Sequence, residues 1–312
     1  MPKYRENLPQ LGSDLFACYV GMETEILFRD GIDLPGFAAY PLLLEPEHRN
    51  LVRSYYCKLV DLAREQNTGL VLEAATWVAN RDRAAALGFS PEELKRLNVA
   101  AIELIAEVRT EMGDLPTVLS GPVGPRGDAY APADQMSTEQ AEAYHSEQIK
   151  TYSTTEVDLV TGYTLCYPEE AAGIVRAAQK FNMPVAIAFT VETDGQLPTG
   201  VSVNEAIEQV DAETDHGALY FLINCAHPDH FTDIFDDKPW VQRLRGVVAN
   251  ASRCSHAELD IAEELDEGDP DELGMQLGGL RKRFPHFNIL GGCCGSNLHH
   301  MKRILEEARA AA

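Results

Sequence analysis

Short runs of consecutive apolar residues recur along the chain, and each is followed by a longer stretch in which apolar positions return every third or fourth residue. Eight such runs, at 16–20, 70–72, 117–119, 157–160, 185–189, 218–223, 246–249 and 287–290, are apolar on both faces and predict buried strands. The stretches between them predict helices. Over 46–66, Leu51, Tyr55, Leu59 and Leu62 fall on one helical face behind Pro46-Glu47. Ser90-Pro91-Glu92-Glu93 combines an N-cap, a proline at the first helical position and a capping-box glutamate. Pro168-Glu169-Glu170 and Ser202-Val203-Asn204-Glu205 open further helices, and 297–310 reads as a closing one.

Strands alternating with helices imply a parallel sheet of the α/β class, and a count of eight favours a closed (β/α)8 TIM barrel occupying 1–312 as a single domain. The alternative is an open doubly wound sheet, but no Gly-x-Gly-x-x-Gly follows the first strand. The chain shows no residue-level repeat and no interdomain linker. Two long connections stand out: 121–138, rich in Gly, Pro and Asp, predicts a loop over the barrel mouth, and 266–270 predicts a solvated acidic turn.

Composition narrows the function. With 45% hydrophobic and 24% charged residues the chain is an ordinary globular protein. Its net charge of −23, from 49 acidic and 26 basic residues, argues against nucleic-acid and membrane-surface partners and fits a solvated acidic surface. Oligomeric state is not legible. The N-terminal segment Met1 to Asn7 lacks the apolar core of a secretory signal, and no run is long enough to span a membrane. Seven cysteines in such a chain do not suggest a disulfide framework, so the expectation is a cytoplasmic protein with free, catalytic or metal-bound thiols.

Candidate chemistry concentrates after the sixth and eighth strands. Cys225 ends Ile223-Asn224-Cys225, and Cys293 and Cys294 lie in Gly291-Gly292-Cys293-Cys294-Gly295. Strand C-termini converge at a barrel mouth, so three thiols from two strands with a single strand between them can meet there. Three thiolates suffice for a zinc site with an open fourth position. Metal binding stands here beside a redox role and plain packing. The flanking glycines would let adjacent cysteines reach one point through a sharp turn. Cys18, Cys57, Cys166 and Cys254 read as core residues. His227, His230, His299 and His300 match no zincin spacing and read as surface or capping residues, with a supporting role open to His227, just past Cys225.

These motifs resemble the signature of the homocysteine S-methyltransferase family, which includes betaine– and S-methylmethionine–homocysteine methyltransferases. The resemblance covers nearly the whole chain. Ser120-Gly121-Pro122-Val123-Gly124-Pro125, followed by Gly127-Asp128 and Tyr130, is similar to the family's third-strand loop. Phe189-Thr190-Val191 and Gly200-Val201-Ser202 with Glu205-Ala206 are similar to its fifth strand and next helix. The resemblance implies a barrel enzyme holding one Zn2+ through Cys225, Cys293 and Cys294, where a small thiol is activated as a metal-bound thiolate and takes a methyl group. No catalytic group beyond the metal site is implied. The default reaction makes methionine from homocysteine. The alternatives are the same chemistry on a different small thiol, and a zinc- or thiol-binding barrel without turnover.

Two departures bear on the acceptor. Tyr19-Val20-Gly21 stands where the family has Asp-Gly-Gly, and Tyr163-Thr164 stands where it has a glutamate before threonine. Both missing acids are tied in the family to the amino-acid part of the substrate. Glu23 and Glu25 are the carboxylates expected nearby, with Glu23 projecting into the mouth as replacement, and Thr24 lies in the same segment. Tyr163, Thr24, Asn224 and Asn250 complete the expected acceptor contacts, the asparagines as neutral acceptors. The chain as given lacks the folate and cobalamin modules of the large methionine synthases, so the expected donor is a small sulfonium or quaternary-ammonium molecule.

Overall fold

The computed structural model describes residues 1–236 and 238–311. Its strands are β1 (Phe16–Ala17), β2 (Gly69–Glu73), β3 (Thr117–Val123), β4 (Leu159–Leu165), β5 (Val185–Phe189), β6 (Phe221–Asn224), β7 (Leu244–Ala249) and β8 (Ile289–Gly292). They close in sequence order, each parallel to both neighbours, and Phe16 of β1 pairs with Ile289 of β8. This is the expected (β/α)8 barrel.

Each expected strand is present among the described residues, β5 with the expected bounds and the others with shifted ends. β3 runs on to Val123 through Gly121 and Pro122, residues that read as breakers in sequence. The tolerance is local: a Cβ at Gly121 would lie 2.9 Å from the Tyr152 ring, and the Pro122 carbonyl accepts the Tyr152 hydroxyl at 2.9 Å. The loop over the mouth therefore starts only at 124. β1 is short, yet its pairing with β8 continues, since Cys18 N–H donates to Leu290 O (2.9 Å) and Gly292 N–H to Tyr19 O (2.8 Å).

Alternation along the strands sorts two cores. Leu70, Leu72, Val185, Ile187, Ile223 and Val247 face outward and pack with the helices. Val71, Leu159, Ala186, Ala188, Leu222 and Val248 fill the barrel interior. The expected caps at Ser90/Glu93 and Ser202/Glu205 form complete capping boxes, each satisfying two backbone donors at a helix start. The same device recurs unforeseen at Ser137/Gln140 and Ser255/Glu258. No described helix is long and apolar enough to cross a membrane.

Candidate active site

The three cysteines singled out in sequence meet at the C-terminal mouth of the barrel. Their sulfurs all lie within 4.8 Å of one another, and they are the one group of three potential metal ligands among the described residues. Cys225 Sγ and Cys294 Sγ are 3.6 Å apart. Two sulfurs bound to one tetrahedral zinc at ~2.3 Å would be separated by ~3.8 Å, so the spacing fits such an ion. The soft, all-sulfur donor set fits it as well.

Local backbone structure makes the convergence possible. The segment after β7 stitches the two cysteine-bearing loops together. Cys225 N–H donates to Val248 O (2.9 Å), Cys293 N–H to Ala249 O (2.6 Å), Asn250 N–H to Ala226 O (3.1 Å) and Ala251 N–H to Cys294 O (3.0 Å). The sharp turn expected of the glycines falls partly elsewhere. Cys225 itself has φ 53°, a strained conformation for a side-chain-bearing residue, while Gly295 (φ 74°) takes the turn after Cys294. Gly291 and Gly292 serve close approach instead: a Cβ there would meet Tyr19 O at 2.8 Å and Ser296 Oγ at 2.1 Å.

A shell of polar groups fixes Cys225. Tyr130, from the loop 124–137 that covers the mouth, donates its hydroxyl to Cys225 Sγ (3.3 Å), and Asn250 Nδ2 approaches the same sulfur at 3.8 Å. The Tyr130 ring stacks on His256, with centroids 3.8 Å apart. His256 Nε2 faces Cys225 O at 2.8 Å and its Nδ1 faces Glu192 Oε1 at 3.0 Å. Both partners are oxygens, so the ring is held at each of its two nitrogens. Hydrogen bonds from Cys293 and Cys294, then the charge on His256, pull the Cys225 thiol well below its usual range against the effect of burial. Burial pushes the Tyr130 phenol up.

Glu23, in the first turn of the helix Met22–Phe28, is buried rather than solvent-facing. Its Oε2 has no partner, and burial pushes its carboxyl from the usual 4.5 up to about 7. Glu25 does not reach the mouth. It lies 3.8 Å from Arg29 and lines an outer cleft of about 520 Å³ with Tyr55, Lys58 and Glu267. Thr24 Oγ1 donates to Gly21 O (2.7 Å) and accepts from Gly295 N–H (3.4 Å), which ties the β1 loop to the cysteine loop.

The asparagines are occupied. Asn224 Oδ1 accepts Thr164 N–H and its Nδ2 donates to Thr164 Oγ1, both at 2.9 Å, bracing Thr164 at φ 60°. Asn250 Oδ1 accepts Ser252 N–H at 3.0 Å. Each of these oxygens, expected as a neutral acceptor, already accepts one backbone N–H.

The histidine that supports Cys225 is His256, which faces its carbonyl, while His227 takes the capping role expected of it. His227 caps the helix Pro228–Phe231 by accepting Asp229 N–H, and burial lowers its imidazole to about 4. His230 faces Arg253 O; His300, buried, completes the capping box of the last helix by accepting Asn297 N–H (3.2 Å), and its Nε2 faces Glu267 O. Of the cysteines read as core, Cys254 is exposed and Cys57 half-buried. Cys18 is buried in a polar cluster within the barrel. Its thiol lies 3.5 Å from Glu73 Oε1 and 3.3 Å from the Tyr163 hydroxyl, and that hydroxyl donates to Glu73 Oε1 at 2.9 Å.

Sequence reasoning passed over Glu73, Glu192 and His256, and noted Tyr130 only within its loop. Two of them carried a signal. Glu73 follows the inward-facing Val71 by two residues, so strand alternation points it into the barrel at the mouth end. His256 sits inside Ser255-His256-Ala257-Glu258, a capping-box pattern after the seventh strand that predicts a helix start at the mouth.

The rat betaine–homocysteine S-methyltransferase 1 is 25% identical over 256 residues, covering 76% of this chain and 60% of that protein. The chain thus spans less than two thirds of that relative's length. Two structures of the Escherichia coli homocysteine methyltransferase MmuM share the fold. The oxidized form matches with a TM-score of 0.71 at 17% identity, covering 98% of this chain and 100% of that one. The metallated form matches with a TM-score of 0.69 at 18% identity, covering 97% and 99%. A family model described as Homocysteine S-methyltransferase matches residues 21–308, which spans every strand after β1 and all three clustered cysteines. The chain belongs to the homocysteine S-methyltransferase family.

Proposed function

We propose that this protein is a cytoplasmic, zinc-dependent S-methyltransferase that moves a methyl group from a small sulfonium or quaternary-ammonium donor onto a small thiol, by default homocysteine, giving methionine. The observation that carries the reading is the cluster of Cys225, Cys293 and Cys294 within 4.8 Å in the mouth of a barrel of this family. A free thiol with pKa ~8.5 is mostly protonated at pH 7, and zinc held by these three sulfurs would keep an acceptor thiol ionised there.

The chain's own residues supply the rest. Thr24, Asn250 and the segment after β7 hold the cysteine loops in register. Tyr130 and the loop 124–137 cover Cys225, which is 2% exposed, and exclude water from its sulfur. Glu23, with an unpartnered buried oxygen near Cys294, is placed to receive the ammonium of an amino-acid thiol. An unpaired buried ammonium would cost on the order of 3 kcal/mol or more. Tyr163, Asn224 and Thr24 shape the remainder of the acceptor pocket.

A second reading, the same chemistry on a different thiol, draws support from Tyr19 and Tyr163 at the two positions where acids are expected. Mass-spectrometric detection of thioethers decides between them, using zinc-loaded protein, a panel of thiols, and S-methylmethionine or betaine as donor. The expected product is methionine from homocysteine. Product only from thiols lacking an amino group would transfer the assignment to the second reading. Zinc-loaded protein that methylates no thiol would leave a binding barrel.

A further inference from the structure

The barrel interior holds a second carboxylate that the thiol cluster does not use. Glu73 closes β2, is 4% exposed, and follows Val71 on the inward face. One of its oxygens is fully committed: Oε1 takes the Tyr163 hydroxyl at 2.9 Å and the Cys18 thiol at 3.5 Å. The other, Oε2, is buried without any partner. Anchoring one oxygen while leaving its twin open aims the free lone pairs in a fixed direction. A carboxylate needed only for packing gains nothing from this arrangement, because desolvation of an unmatched oxygen costs free energy.

The partners of Glu73 locate it. Tyr163 lies in the C-terminal half of β4 and Cys18 follows β1, so the carboxylate lies between the two strands where the expected acids are replaced by Tyr163 and Tyr19. Tyr163 and Cys18 belong to the interior cluster against which Tyr19, Trp77 and Cys293 pack, and these three partly exposed side chains mark the open end. Tyr56 lies in the field of both Glu73 and Glu23. The two orphan oxygens thus belong to neighbouring segments of the barrel, Glu73 at the end of β2 and Glu23 in the helix that follows β1.

We propose that Glu73 is the specificity determinant of the acceptor site, its free Oε2 receiving the ammonium of an amine-bearing thiol together with Glu23. A carboxylate on β2, oriented by Tyr163 and Cys18, stands in for acids carried elsewhere by β1 and β4. This rests on the reading of the cysteine cluster as the place where the acceptor sulfur binds.

Isothermal titration of the zinc-loaded protein with homocysteine and with 4-mercaptobutanoate, its counterpart lacking the amine, tests the assignment without turnover. Wild type is expected to favour homocysteine by at least ~30-fold, and Glu73→Gln to cut that preference at least ~10-fold by weakening homocysteine alone. Zinc content should stay unchanged and 4-mercaptobutanoate should bind within about twofold of wild type. Glu73→Asp, which keeps the charge but withdraws it by one methylene, should lower the preference at least ~3-fold and serves if the glutamine variant does not fold. Equal binding of the two thiols by wild type overturns the assignment. So does a variant in which the preference persists or both thiols weaken together. In those cases intact zinc and methyl transfer leave the proposed function standing, whereas failure of either thiol to bind removes the reading beneath it as well.

Discussion

Replacing Glu73 by glutamine removes a titrating proton from the barrel interior and leaves its shape almost unchanged. Burial pushes this carboxyl from the usual 4.5 up to about 7, against the nearby hydroxyl of Ser120 and the hydrogen bonds from Tyr163 and Cys18, which favour the charged form. Tyr56, Tyr152 and Tyr220 stand behind these groups, and no cation acts on the carboxyl among the described residues. Because the folded-state pKa lies above the unfolded one, folding favours the protonated acid. Its contribution is therefore complete below about pH 4.5 and is lost as pH rises through about 7. The rise from 4.5 to about 7 corresponds to about 3 kcal/mol in total. The sequence pI near 4.7 makes acidic solutions a poor place to measure. Between about pH 5.5 and 8, some ~2 kcal/mol of the effect should develop. Urea unfolding followed by circular dichroism, at fixed ionic strength, gives the stability of wild type and Glu73→Gln at each pH. Other titrating groups cancel in the difference, which should grow by ~2 kcal/mol in the variant's favour across that window. A flat difference would refute a desolvated carboxyl at this site. A difference growing in favour of wild type would mean that a cation pairs with Glu73 in the free protein.

Glu23→Gln should raise the KM for homocysteine at least ~10-fold, about 1.4 kcal/mol, with zinc content unchanged; steady-state kinetics that match wild type would remove Glu23 from the pocket. His256→Ala takes away the group that holds Cys225 O and should weaken zinc binding by ~10- to 100-fold in chelator competition. The neighbouring substitution Cys254→Ser should leave that affinity in place, and an equal loss in both variants would point to general damage to the loop after β7.

Much of this arrangement is legible in sequence, for definable reasons. Strands buried on both faces declare themselves as unbroken apolar runs, so 185–189 is identical to β5. Breakers mislead where tertiary contacts override them, as at Gly121 and Pro122, which stay in β3 because Tyr152 fills the space beside one and hydrogen-bonds the carbonyl of the other. The cysteine cluster is legible because its ligands are chemically distinctive and sit at strand ends that a barrel must bring together. Its supports are not. Tyr130 reaches Cys225 across 95 residues of sequence, and His256 is 31 residues away, so only the folded chain pairs them. Glu73 escaped because a lone acid at a strand end looks like a solvated terminus until alternation is read from Val71. Asn224 is the converse case, well placed in sequence yet spent on bracing Thr164.

Metal analysis of the purified protein and its cysteine variants tests the central assignment most directly. The cluster of Cys225, Cys293 and Cys294 predicts about one zinc per chain in wild type, in Cys57→Ser and in Cys254→Ser, and its loss when any of the three is changed to serine. Full zinc content in Cys293→Ser and Cys294→Ser would contradict it.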